Sequence, residues 1–202
     1  MKGAFLGCLG LAVLAAAILA VFGFSQYNGL VGADQAVQEQ WGQVENVYQR
    51  RADLVPNLVA TVKGAANFEK STLTQVTEAR SRVGQISAQG AQQLLKDPQK
   101  FRQFEQAQAG LSSALSRLLV VVERYPELKA VQAFRDLQVQ LEGTENRIAV
   151  ERRRFNETAR VYNTKLKMIP TRWFNAWLGW GFAARPYFQA QTGAETVPKV
   201  QF

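Results

Sequence analysis

The chain has 202 residues, with 24 Lys and Arg against 16 Asp and Glu, no histidine and a single cysteine. That length suits one domain with a real core plus one further segment. Absence of histidine removes the commonest general base and the commonest zinc ligand together, and a lone Cys8 inside an apolar run excludes an intrachain disulfide and leaves the redox compartment unreadable. The net charge of +8 fits nucleic acid, an anionic lipid surface or a solvated basic exterior, so placement has to decide.

From Gly3 to Phe24 there are 22 consecutive uncharged residues. As a helix they span a hydrocarbon core of roughly 30 Å. A cleaved signal peptide has a shorter apolar region ending in a small-x-small site. Here Ala15 to Ala17 fall in mid-run and more apolar residues follow, which favours a retained anchor over residues 1–25. A lipoprotein reading of Cys8 fails because the apolar stretch follows the cysteine instead of preceding it. Lys2 precedes the run, while Asp34, Glu39 and Glu45 come before the first downstream arginine, so the positive-inside rule directs the N-terminus to the cytoplasm and the domain outward.

Beyond the run, few prolines and abundant Ala, Gln, Leu, Glu and Arg favour long helices. Leu30, Val37, Trp41, Val44, Tyr48, Val55, Leu58, Val62 and Ala65 recur at spacings of three, four or seven, the seam of an amphipathic helix broken by Asp34, Arg51 and Glu69. No strong stop signal separates this helix from the apolar run, and Pro56 predicts a kink. A second helix is expected through Leu73, Val76, Val83 and Ile86, capped by Ser71 or Thr72. A turn at Asp97 and Pro98 precedes a third helix carrying Phe101, Phe104, Leu111, Leu115, Leu118, Val122 and Tyr125. Pro126 ends it and opens a fourth, whose seam holds Phe134, Leu137, Leu141, Ile148, Phe155, Tyr162, Leu166 and Ile169 as far as Pro170. The expected fold is therefore all-α: a transmembrane helix, then an antiparallel four-helix bundle over residues 26–169 with long first and fourth helices, then an aromatic segment over 170–202.

In that last segment Trp173, Phe174, Trp177, Leu178, Trp180, Phe182, Tyr187 and Phe188 crowd together, flanked by Lys165, Lys167, Arg172 and Arg185. Tryptophan and tyrosine favour the membrane boundary and basic residues meet lipid phosphates there, so an interfacial segment is expected; ordinary core at the bundle's base is the competing reading. A second constellation is polar. Arg50, Arg51 and Asp53 lie about 39 Å above the end of the apolar run, level with Glu142, Glu145, Asn146 and Arg147 counted back from Pro170. Arg51 on the seam calls for a carboxylate partner, Glu142 or Glu145. A register-fixing layer is favoured over a switch or assembly contact.

Glu142 and Glu145 share a helix face but lack a second acid pair, a ligating histidine, a phosphate loop or an activated nucleophile, so an enzyme is not expected and no cofactor or metal is assigned. Arg152, Arg153 and Arg154 have no aromatic stacking platform beside them, and a solvated or lipid-facing patch is preferred to a nucleic-acid site.

The run WGQVENVYQRRADLVPNLVATVKG from Trp41 to Gly64 resembles the signature of the LemA family of bacterial membrane proteins. The likeness continues in LSSALSRLLVVVERYPELKA from Leu111 to Ala130, in LQVQLEGTENRIAVERRRFNETARVYN from Leu137 to Asn163, in YNGLV from Tyr27 to Val31 and in the ending PKVQF. This resemblance implies a helical bundle on an N-terminal anchor in the bacterial inner membrane, with no established activity or cofactor and no catalytic residues to carry over. Family relatives include proteins implicated in magnetosome membranes. Many members carry a tyrosine and a histidine in the segment matching Ala65 to Phe68; this sequence has no histidine. The combined expectation is a self-associating membrane scaffold, partnered by the lipid bilayer and by copies of itself. The alternative is an adaptor that presents a partner protein to a membrane protease or transporter.

Overall fold

A computed structural model of the protein describes residues 2–64 and 68–189, with side chains described from residue 9 onward. Among the described residues the chain is helical, without strands: α1 (Lys2–Lys63), α2 (Lys70–Ser87), α3 (Ala91–Lys96), α4 (Pro98–Val122), α5 (Pro126–Ala130), α6 (Gln132–Lys167) and α7 (Thr171–Trp177), followed by an extended stretch to Gln189.

α1 runs unbroken for 62 residues, about 93 Å. Its first part is long and apolar enough to cross a membrane, and Leu11, Val13, Leu14, Ile18, Leu19, Val21 and Phe24 stand exposed along it. From Leu30 onward the seam turns inward, and Leu30, Val37, Trp41, Val44, Tyr48, Val55, Leu58 and Val62 are buried; Ala65 lies outside the described residues. Pro56 sits inside the helix without ending it. A proline removes the donor that would bind the carbonyl four residues earlier. That carbonyl belongs to Ala52, and Arg80 of α2 supplies the missing donor, Nε to O at 2.9 Å.

Three local expectations are corrected. α2 starts earlier than the expected caps: Glu69 occupies the cap position without a side-chain cap, Ser71 and Thr72 already lie in the helix, and buried Thr72 turns its hydroxyl to Glu69 Oε2 at 3.4 Å. α3 was not foreseen; it folds the linker so that Leu94 and Leu95 are buried. The expected fourth helix from Pro126 is two helices, because Val131 is extended (φ −71°, ψ 118°) between α5 and α6. Leu128 and Phe134 are both buried. Six helical residues would put them about 120° apart around one axis, so the break at Val131 rephases the stripe. The expected turn at Asp97 and Pro98 opens α4, where Asp97 acts as the cap, accepting from the amides of Gln99 at 2.8 Å and Lys100 at 3.3 Å, with Pro98 in the first turn.

α1 packs chiefly on α6, and α2 on α4. Residue numbers fall along α6 as they rise along α1: Gln26 meets Thr171 just past α6, Gln40 meets Glu151, and Arg51 meets Glu145. The core divides in two. One cluster surrounds Trp41 with Leu30, Val37, Phe101, Phe104, Phe155 and Phe188. The other gathers Val55, Leu58, Val76, Leu111, Leu118, Phe134 and Leu141 at the far end.

Candidate functional site

Arg51 lies between the two clusters and is 1% exposed. Its Nη1 donates to Glu145 Oε1 at 2.8 Å and to Ser112 Oγ at 2.6 Å. Its Nη2 donates to the Gln108 carbonyl at 3.2 Å and to Gln108 Oε1, while the guanidinium carbon sits 5.1 Å from the centre of the Tyr48 ring. A buried guanidinium needs every acceptor within reach. Only part of the expected polar set takes part. Glu142 is exposed and bonds Gln138, Asp53 is exposed and bonds Gln49, and Arg50, Asn146 and Arg147 lie on the solvent face. Gln108 and Ser112 of α4 complete the layer instead. Both are polar residues close to the Phe101–Leu115 stripe, a signal readable only once α4 is known to face α1. Arg51 Nε and Gln108 Nε2 are buried without an acceptor among the described residues.

The second construction is the extended stretch after α7. Residues 182, 185 and 188 fall at every third position, and their contacts on α1 fall at every seventh: Phe182 beside Tyr27 with ring centres 5.6 Å apart, Arg185 on Asp34, and Phe188 stacked on Trp41 at 6.1 Å. Seven helical residues rise about 10.5 Å and three extended residues cover about 10 Å, so the two periods match. Three asparagines hold the backbone of this strap, each with its amide donating to a carbonyl and its oxygen accepting from the same residue's N–H. Asn175 grips Phe182 (3.0 and 3.2 Å), Asn163 grips Arg185 (2.9 and 2.8 Å) and Asn156 grips Phe188 (2.9 and 2.8 Å). Asn156 and Asn163 are seven residues apart on α6, the same repeat as on α1. Each clamp satisfies a backbone donor and acceptor that would otherwise be buried unpaired, as a neighbouring strand would.

Side-chain sockets add to the clamps. Arg185, 7% exposed, donates Nε to Asp34 Oδ1 at 2.9 Å and Nη2 to the same oxygen at 2.5 Å. Arg185 therefore faces Asp34 and not lipid phosphate, which corrects its expected place in the basic fringe. Asp34, which breaks the α1 seam, is there to receive it. Tyr162 donates its hydroxyl to the Ala183 carbonyl at 2.9 Å, and burial, followed by the charge of Asp34 and opposed by Arg185, pushes that hydroxyl up to about 12. At the strap's end Gln189 donates to Glu105 Oε1 at 3.0 Å and its carbonyl accepts from Arg152 Nη2 at 2.9 Å. Burial holds the Glu105 carboxyl above the usual range. Arg152 also lies 4.7 Å over the Phe188 ring, whereas Arg153 and Arg154 are exposed. The arginine run thus has a member turned inward.

The aromatic segment is split by these contacts. Phe188 is core, wedged among Trp41, Phe101 and Phe155. Trp180 packs 5.2 Å from Tyr27 and 5.8 Å from Phe174, both it and Phe182 being half-buried. Trp173, Leu178 and Tyr187 are exposed, and Trp177 is 82% exposed. Thr171 Oγ1 donates to Gln26 Oε1 at 3.0 Å, so α7 sits where the apolar run of α1 ends. Lys165, Lys167 and Arg172 stand exposed at the same end, with Met168 and Ile169. The sequence carried a trace of the strap in its Phe-x-x-Arg-x-x-Phe spacing and in the paired asparagines of α6. The first follows no helical period.

Comparison with known proteins gives a concordant picture. The profile of the LemA family matches residues 40–202. A magnetosome protein, MamQ 2 of Paramagnetospirillum magneticum, is 28% identical over 92% of this chain and 74% of its own length. Magnetosome protein MamQ of Magnetospirillum gryphiswaldense is 27% identical over 91% of this chain and 74% of its own length. Protein LemA of Metamycoplasma hominis is 25% identical over 73% of this chain and 61% of its own length.

Proposed function

Because this chain belongs to the LemA family, we propose that it is a non-enzymatic scaffold, anchored in a bacterial membrane by the start of α1, that assembles with copies of itself. Its helices then form an antiparallel four-helix bundle that stands on the bilayer, outside the cytoplasm, and holds a shape or spacing at the membrane surface. One observation carries the reading: at the level where the apolar run of α1 ends, α7 offers exposed Trp173, Trp177 and Leu178 beside exposed Lys165, Lys167 and Arg172. Aromatic rings with a basic fringe suit the headgroup layer, so one protomer touches the bilayer at two places and cannot tilt freely. The relatives named as magnetosome proteins agree with an organising role.

The full chain reconstituted in lipid nanodiscs of increasing diameter and imaged by electron microscopy tests this. Multi-copy particles in the wide discs are expected. Single copies at every diameter, or crosslinking in native membranes dominated by one foreign protein, would replace the scaffold with the adaptor reading.

A further inference from the structure

The geometry points to the groove between α1, α4 and α6 as a docking site for the Phe182–Phe188 strap of a second copy, so that neighbouring copies are joined by exchanged straps. The inference rests on the self-assembly reading above and names the surface through which it occurs.

The groove is built for an extended segment. Asn156 and Asn163 hold backbone groups, so they impose an extended conformation without demanding a particular residue. Selectivity lies in the sockets: a carboxylate at Asp34 and an aromatic well formed by Trp41, Phe101 and Phe155. The ligand they read is an arginine followed three residues later by an aromatic residue, on extended backbone. Residues 185 and 188 of this chain meet that rule. Peptide capture by alternate side-chain pockets and main-chain hydrogen bonds is a general recognition mode, and it does not depend on which chain supplies the peptide.

The connection to the rest of the chain is short. Leu178 to Gly181 link α7 to the strap, with Gly179 at φ 64° and Gly181 at φ 74°, left-handed values that glycine adopts without steric cost. In trans the strap meets the same α1, α4 and α6 groups that it meets in cis, and the part that rearranges is the linker, with Trp180 leaving Phe174 and Phe182 changing one Asn175 for the other copy's. Height favours a second copy over a soluble partner. The strap begins beside Tyr27, just past the apolar run, and climbs in step with α1 to Trp41. Copies standing side by side on the same apolar run present groove and strap at the same level, so a strap crosses without any vertical shift.

Two full-length copies carrying different tags, co-expressed and extracted with native lipid, test the exchange. One bears Asp34→Arg and the other Arg185→Asp. A copy closed on itself then holds a like-charge clash, whereas an exchanged pair of one of each holds opposite charges in both grooves. Mixed pairs are expected in about tenfold excess over like pairs, since juxtaposed like charges are strongly disfavoured. As a second measurement that leaves the buried pair intact, a photoreactive residue in place of exposed Tyr187 is activated in otherwise unaltered tagged copies. Adducts joining two tags and mapping to Asn156, Glu157 or Arg160 of the other copy are expected. Assemblies that give such adducts only within one chain overturn strap exchange and leave self-assembly standing. Single copies in lipid overturn both.

Discussion

Breaking the Arg51–Glu145 pair from either side should have unequal consequences, because the two charges are unequally buried. The side chain of Arg51 is 1% exposed and that of Glu145 is 40% exposed. Glu145→Gln strands a guanidinium among Gln108, Ser112 and Tyr48 with no counter-charge, a loss of about 3 kcal/mol. Arg51→Met instead leaves a carboxylate that water already reaches. What it forfeits is the hydrogen bonding to Gln108 and Ser112, about 1 to 2 kcal/mol. At roughly 2 to 4 °C per kcal/mol for a chain of this size, Glu145→Gln should lower the midpoint by about 6 to 12 °C and Arg51→Met by about 2 to 8 °C. The double variant should resemble Arg51→Met alone, a coupling of about 3 kcal/mol, the whole of the Glu145→Gln loss. Thermal melts of the full chain in detergent micelles, followed by circular dichroism and tryptophan fluorescence, measure all three. The reasoning is refuted if Arg51→Met proves the more damaging change or if the two losses simply add.

Three further expectations concern the strap and the membrane end. Asn163→Ala leaves the N–H and carbonyl of buried Arg185 unpaired, so it should cost about 1 to 3 kcal/mol and hasten limited proteolysis after residue 180; an unchanged cleavage rate contradicts the clamp. Replacing Trp173 and Trp177 with Ser should weaken co-flotation with anionic vesicles while leaving the melting midpoint within about 2 °C, because neither ring is buried; Trp180→Ser should move the midpoint instead, since its ring packs on Tyr27 and Phe174. Tyr162 keeps its proton in the fold up to about 12, against 10.0 for the free group, so the folded state binds more protons in that window. Stability should be intact below pH 10 and fall as pH rises from 10 to 12, and Tyr162→Phe should flatten that fall.

Much of this architecture was legible in the residues. An apolar run without charge can only be spent in lipid or core, and its length identified the first part of α1. The α1 seam from Leu30 to Val62 and the stripe of α4 followed from a period that any helix must obey, and Asp97–Pro98 marked a helix start by local hydrogen bonding alone. These features are set within a few turns of one helix, which is why one sequence suffices to read them.

Tertiary structure decided what depends on two distant segments meeting. The break at Val131 answers to which face Leu128 and Phe134 must both reach, and Pro56 is accommodated by an arginine from another helix. Arg51 found its acceptors on α4 as well as α6, and Asp34, a flaw in the seam when read along the chain, became the seat of Arg185 from 151 residues away. The strap is the clearest case: its three-residue repeat has no meaning until it lies against a helix whose seven-residue repeat covers the same distance. Local pattern fixes the helices; only the meeting of unlike periods places the strap among them.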